Sequence, residues 1–179
     1  SPEKAAAEVV EALSALDVAG IVSTVESDIA VVLAVNLPSA ISDRMSPRLA
    51  ATMVGMRIPL AGVASLRQPV RLRRPYFGTA DAAETLRRLT NDSALAKSLP
   101  NTADEREVFA VPVTCRDRVV AVLTVYGPGC VASLGPTLEA VAAMLAVAWS
   151  SEAHQAVETF ETESAPAPDR RPPSTIRAI

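Results

Sequence analysis

The sequence predicts an α+β fold in which antiparallel hairpins are layered against helices, and three observations carry that prediction. Val108-Phe109-Ala110-Val111-Pro112-Val113 and Val119 to Tyr126 are β-branched and apolar runs. The charged Arg116-Asp117-Arg118 between them is too short for any connection except a hairpin. A second pair of strand-like runs, 19–26 and 29–37, flanks Ser27-Asp28, and a long stretch of helical periodicity follows the later hairpin.

Composition narrows the function classes. A chain of 179 residues is long enough for one domain with a full core. Apolar residues make up 49% of it but aromatics only 3%, so the core is expected to be Ala, Val and Leu, and any pocket to be lined by short aliphatic side chains. A net charge of −3 argues against generic binding to a nucleic-acid backbone. The longest unbroken apolar run, Ala140 to Trp149, covers about half of a bilayer span, so no membrane segment is expected. Cys115 and Cys130 do not make a disulfide framework, and a reducing cytoplasm is the expected location. The opening Ser1-Pro2-Glu3-Lys4 reads as an internal edge, so a longer natural chain is expected.

Taken in order, residues 3–16 form an amphipathic helix, with Val9, Val10, Leu13 and Leu16 on one side. Asp17 and Gly20 end it. The run Ile29 to Val35 is apolar without alternation, which suits a strand covered on both faces. Residues 38–54 hold a short helix or an excursion, with Ser46-Pro47 as a cap. Met56 to Leu60 is a short extended piece, and one or two helical turns are expected over 61–66. Residues 68–73 alternate, with Val70 and Leu72 on one face and Arg71 and Arg73 on the other, and are expected as a strand. Asp81-Ala82-Ala83-Glu84 has capping-box spacing and would open a helix holding Leu86, Leu89 and Leu95. Pro112 cannot donate to a ladder, so its strand is an edge there or carries a bulge. Gly127-Pro128-Gly129 stops the following strand. Pro136 suits a first helical turn, after which Leu138, Val141, Met144, Leu145, Ala148 and Trp149 keep one stripe. Residues 159–179 are proline-rich and bury too little apolar surface to offset the entropy of ordering, so a disordered tail or linker is expected. Arg170, Arg171, Ile176 and Ile179 would be its contacts if it docks on a protein partner.

This order, together with two stretches, resembles a GAF domain, a small-molecule-sensing module related to PAS domains. Arg57-Ile58-Pro59-Leu60-Ala61-Gly62-Val63 through Val70 is similar to one family segment. Val111-Pro112-Val113 with Arg118-Val119-Val120-Ala121-Val122-Leu123-Thr124-Val125 is similar to the family's late hairpin. Ala121 stands where the family has Gly. The likeness covers residues 3–158 and implies a central antiparallel sheet of five or six strands. It places the first and last helices on one face and a ligand pocket, if any, on the other.

Candidate residues come from both readings. Seven arginines between 57 and 88 face only Asp81 and Glu84. Arg74, just before Pro75-Tyr76-Phe77, is expected to turn inward beside Tyr76 and offer a planar fork to a carboxylate or phosphate. On the pocket side of a GAF-like fold the candidates are Arg57, Arg71, Arg74, Tyr76, Phe109 and Tyr126; the alternative is a solvated basic edge that blunts strand pairing. Cys115, beside Arg116 and Arg118, is the redox candidate, the alternative being a small buried hydrophobe. One histidine, His154, and two cysteines give no metal-ligand spacing. The resemblance offers nothing for haem, and the cyclic-nucleotide signature of the family is missing. No P-loop, nucleophile elbow or dinucleotide fingerprint occurs, so neither an enzyme nor a cofactor is expected. Val9, Leu13, Met144, Val147 and Trp149 are the candidates for a homodimer surface. Expected is a cytoplasmic sensory domain that binds a small anionic or apolar ligand and signals through its terminal helices as a dimer. The alternatives are a ligand-free dimerisation or docking module and, third, a thiol switch at Cys115.

Overall fold

In the computed structural model, residues 1–37, 52–81, 105–127 and 131–163 are described, with side chains at 81, 105 and 152–163 excepted. Six strands form one sheet: β1 Ala19–Glu26, β2 Ile29–Asn36, β3 Arg57–Pro59, β4 Tyr76–Asp81, β5 Glu105–Cys115 and β6 Arg118–Gly127. Their order is β3-β2-β1-β6-β5-β4, and every neighbouring pair is antiparallel. Among the described residues, the helices α1 Pro2–Ser14, α2 Ala64–Leu72 and α3 Gly135–Glu163 accompany them. The α+β architecture expected from the sequence is the one observed.

The period-two alternation of the strands divides the core into two layers. On one face Val22, Val111, Val113, Ala121, Leu123 and Val125 meet Ala6, Val10 and Leu13 of α1 and Leu138, Ala142 and Leu145 of α3. Both end helices therefore stack on the same side. Ser1 caps α1 by accepting from the Lys4 N–H, and Pro2 occupies the first turn, where no N–H is needed. Gly20 lets α1 lie directly on β1: a Cβ there would stand 2.8 Å from Leu13 Cδ1. The fully buried Leu123, Leu138 and Leu145 contribute roughly 2 kcal/mol each by leaving water.

On the opposite face Ala30, Val32, Ile58, Ala110 and Val122 are covered by Leu60, Val63 and Leu66, the last from α2. A register shift at Val22/Ser23 moves one residue of β2 out of pairing, which turns both Leu33 and Ala34 toward the terminal helices. Pro112 pairs with Val122 beyond the point where β4 ends, at Tyr76↔Ala110. Its missing N–H thus meets no strand, and a second shift follows at Val113/Thr114. Both alternatives expected for Pro112 are present in adjacent positions.

The strand expected at 68–73 is α2 instead. Ser65, Leu66 and Pro69 are buried and Val70 half-buried, a helical stripe that the short Val70/Leu72 alternation obscured. The chain leaves this helix through Arg73, in the left-handed region at φ 52°, and the strand begins after Pro75. Pro75 biases Arg74 toward extended backbone, and Tyr76-Phe77 supplies the β-forming residues. The helix expected after Asp81, most of the 38–54 segment, Cys130 and the tail from 164 lie outside the described residues. The backbone of α3 continues to Glu163, past the boundary expected at 158.

Candidate functional site

Polar side chains buried in an aliphatic core mark the places where a protein carries more than packing. Among the described residues these are Ser23, Ser65 and Thr124, at 1%, 4% and 2% exposure, and none of the buried ones is charged. Tyr126 joins them at 8%. Ser65 is placed by the first turn of α2, and Thr124 and Tyr126 by β6, two residues apart and hence on one face. That face is the one turned away from α1 and α3: Thr124 pairs with Ile21 and Ala110, and Tyr126 with Ala19 and Val108.

The Ser65 Oγ and Tyr126 hydroxyl oxygens are 3.5 Å apart in the buried layer. Thr124 Oγ1 has no hydrogen-bond partner among the described residues. An unmade hydrogen bond of that kind costs about 1–3 kcal/mol. Burial pushes the Tyr126 phenol above its ordinary 10.0; the Ser65 hydrogen bond acts the other way, and the nearby Tyr76 phenol adds to the rise. Tyr76 pairs with Ala110, which places it in the row that runs through Thr124. Its ring lies over Gly78, where a Cβ would collide with the Tyr76 hydroxyl. The arrangement is a set of neutral hydroxyls on an apolar floor, suited to hydrogen bonding and without a charged group for proton transfer.

The sequence-derived candidates separate. Tyr76 and Tyr126 come together here. Phe109 lies on the other face, among the residues under the terminal helices, because its parity along β5 is that of Val111 and Val113. It packs under Gly135 and tilts against Phe77, ring centroids 6.4 Å apart. Arg57 is exposed and paired with Glu26 at 3.1 Å. Arg71 is on the exposed side of α2, and Arg74 is exposed in the link to β4 rather than turned inward. Ser65 and Thr124 escaped notice in the sequence. Their signal was local: Thr124 is the one polar residue between Val119 and Val125, and Ser65 interrupts the apolar run 63–66.

Cys115 is half-buried, 3.1 Å from Ser150 Oγ. Ser150 gives its own hydroxyl proton to the Ala146 carbonyl, so Cys115 donates and Ser150 accepts. The bond fastens the end of β5 to α3. Of the dimer candidates, Leu13 is buried and Val9 and Trp149 are packed against the monomer's own core. Met144 and Val147 remain 72% and 63% exposed, in a stripe with Ala140 and Ala143. Within residues 131–151 the most apolar 18-residue window has a mean hydropathy of 1.6, long and apolar enough to cross a bilayer by length and composition only. The unbroken ten-residue run understated this, because the flanking residues carry only one charge, Glu139. Here Leu138, Ala142 and Leu145 of that segment are packed on the sheet.

No family model matches the sequence, and no curated protein does. Solved structures do match in shape. The chain is similar to the GAF domain/HD domain protein from Geobacter sulfurreducens, with TM-score 0.56 at 14% identity over 84% of this chain and 93% of that one. It is also similar to the GAF-B domain of DevS from Mycobacterium smegmatis, with TM-score 0.56 at 17% identity over 88% and 99%. An IclR homolog from Microbacterium hydrocarbonoxydans, complexed with 4-hydroxybenzoate, matches with TM-score 0.50 at 16% identity over 82% and 67%.

Proposed function

Given that this chain has the GAF-domain fold, we propose that it is a non-enzymatic sensory or regulatory module of the cytoplasm. It binds a small molecule on the sheet face opposite its terminal helices. The observation that carries this reading is Thr124, a buried hydroxyl with no partner among the described residues, beside the Ser65–Tyr126 pair. Side chains left unsatisfied at a cost to stability are expected where a ligand completes them. The complex of the IclR homolog with 4-hydroxybenzoate is a precedent for small-molecule binding among proteins of similar shape, though not for the charge of the ligand. Ligand occupancy reaches β6 and β5 first, and α3 packs on the far side of both strands. A change in their twist is thereby passed to the helix, and from it to a second copy.

A thermal-shift screen of metabolites tests the binding step. At least one compound should raise the melting temperature in the wild type and fail to do so in Thr124→Val. A screen of acids, nucleotides, amides and lipids without any shift contradicts it.

Met144 and Val147 support a second reading, a ligand-free dimerisation module, because large apolar side chains on an exposed stripe fit a partner surface. The readings part on the same screen: a dimer that no compound shifts is the second.

A further inference from the structure

If the hydroxyl layer is a ligand site, as proposed, its chemistry also selects the class of molecule that can enter. Every described arginine of the basic stretch, at 57, 67, 71, 73 and 74, is exposed. The buried polar side chains among the described residues are uncharged. An ionised carboxylate or phosphate entering this layer would lose its hydration with no buried counter-charge among the described residues to replace it, a cost far above that of a neutral polar group. What the layer offers is donors and lone pairs in small number. One proton is used between Ser65 and Tyr126, either oxygen being the donor. The Thr124 hydroxyl and the remaining proton of that pair can meet a carbonyl or hydroxyl oxygen. Around them the side chains are short or aliphatic, Ala110 beside Thr124 and Ala19 and Val108 beside Tyr126, apart from Tyr76, which packs against the Tyr126 cluster.

We propose that the ligand is an uncharged small molecule with a carbonyl, amide or hydroxyl group, held by the hydroxyls of Ser65, Thr124 and Tyr126 and not by the arginines. The apolar remainder of such a molecule lies on the Ile21, Val122 and Ala110 floor. The described arginines of the basic stretch, at 57, 67, 71, 73 and 74, are then a solvated surface with no part in recognition. This departs from the anionic ligand that the count of arginines suggests.

Fluorine NMR with matched probes tests it. The probes are 4-fluorobenzamide against 4-fluorobenzoate, and 4,4-difluorocyclohexanecarboxamide against its carboxylate, each titrated into wild type, Ser65→Ala and Thr124→Val. The expected result is that at least one amide binds the wild type at least about tenfold more tightly than its carboxylate partner, since an unpaired buried charge is disfavoured by far more than that. Thr124→Val should erase most of the preference, and a rise in its own melting temperature shows that the variant is folded. A carboxylate binding as well as its amide, or an amide preference unchanged in both variants, overturns the uncharged class and leaves ligand binding itself standing. Absence of binding by all four probes overturns this inference, and the metabolite screen above separately decides the ligand-binding reading.

Discussion

Thr124 stores a trade between stability and use. Replacing it by the isosteric valine removes an unpartnered buried hydroxyl and keeps the packing volume. Thr124→Val should therefore stabilise the ligand-free protein by about 1–2 kcal/mol in urea unfolding, the opposite sign to most core substitutions. Tyr126 gives a pH signature. Its folded pKa is raised above 10.0, so the neutral phenol is favoured in the fold. The stability it contributes is complete below the unfolded value and is lost as the pH climbs through the folded one. Urea unfolding at pH 8 and pH 11 should show a steeper loss in wild type than in Tyr126→Phe. Tyr126 was already a pocket candidate from the family resemblance, whereas Thr124 drew no notice in the sequence. Their importance comes from where the strand parity sends them, and parity is readable only once the covered face is known.

At the scale of elements, the late hairpin was the most legible part of the chain and α2 the least. Two long apolar runs around a three-residue charged stretch admit one solution, and β5 and β6 pair from Cys115↔Arg118 onward. The turn itself is Arg116-Asp117, with φ of 48° and 61°. Two consecutive left-handed residues are the geometry that Asn-Gly satisfies without strain. The double substitution Arg116→Asn, Asp117→Gly should thus raise stability by about 1 kcal/mol, measured as a shift in urea midpoint at constant slope. In α2 the opposite held. A proline at 69, inside the helix, and an arginine rather than a glycine at its left-handed end removed the usual marks of a helix and its stop. In α3, Leu145 is the buried keystone, and Leu145→Ala should cost about 2–5 kcal/mol by leaving a cavity against the sheet.

For the molecule as a whole, the layering of both end helices on one face was legible through the resemblance to the GAF family, while their apolar stripes showed only that each helix covers something. Which residues of those stripes stay uncovered was not legible, since that depends on how α1 and α3 share the sheet. Leu13 and most of Trp149 are used up internally, while Met144 and Val147 are left over. If the molecule pairs through them, Met144→Glu with Val147→Glu should convert a dimer to a monomer by light scattering. The melting temperature measured at low concentration should change by no more than a few degrees. A wild type that is monomeric at high concentration sinks that surface. The sheet order has a further consequence, for synthesis on the ribosome. β1 lies in the interior of the sheet between β2 and β6, and Ala19 waits for Tyr126, more than a hundred residues later. The first hairpin to emerge therefore carries a naked apolar rim until nearly the entire domain has been translated. Folding so dominated by distant pairings is slow, and the uncovered rim is the part of the nascent chain most open to aggregation during that wait.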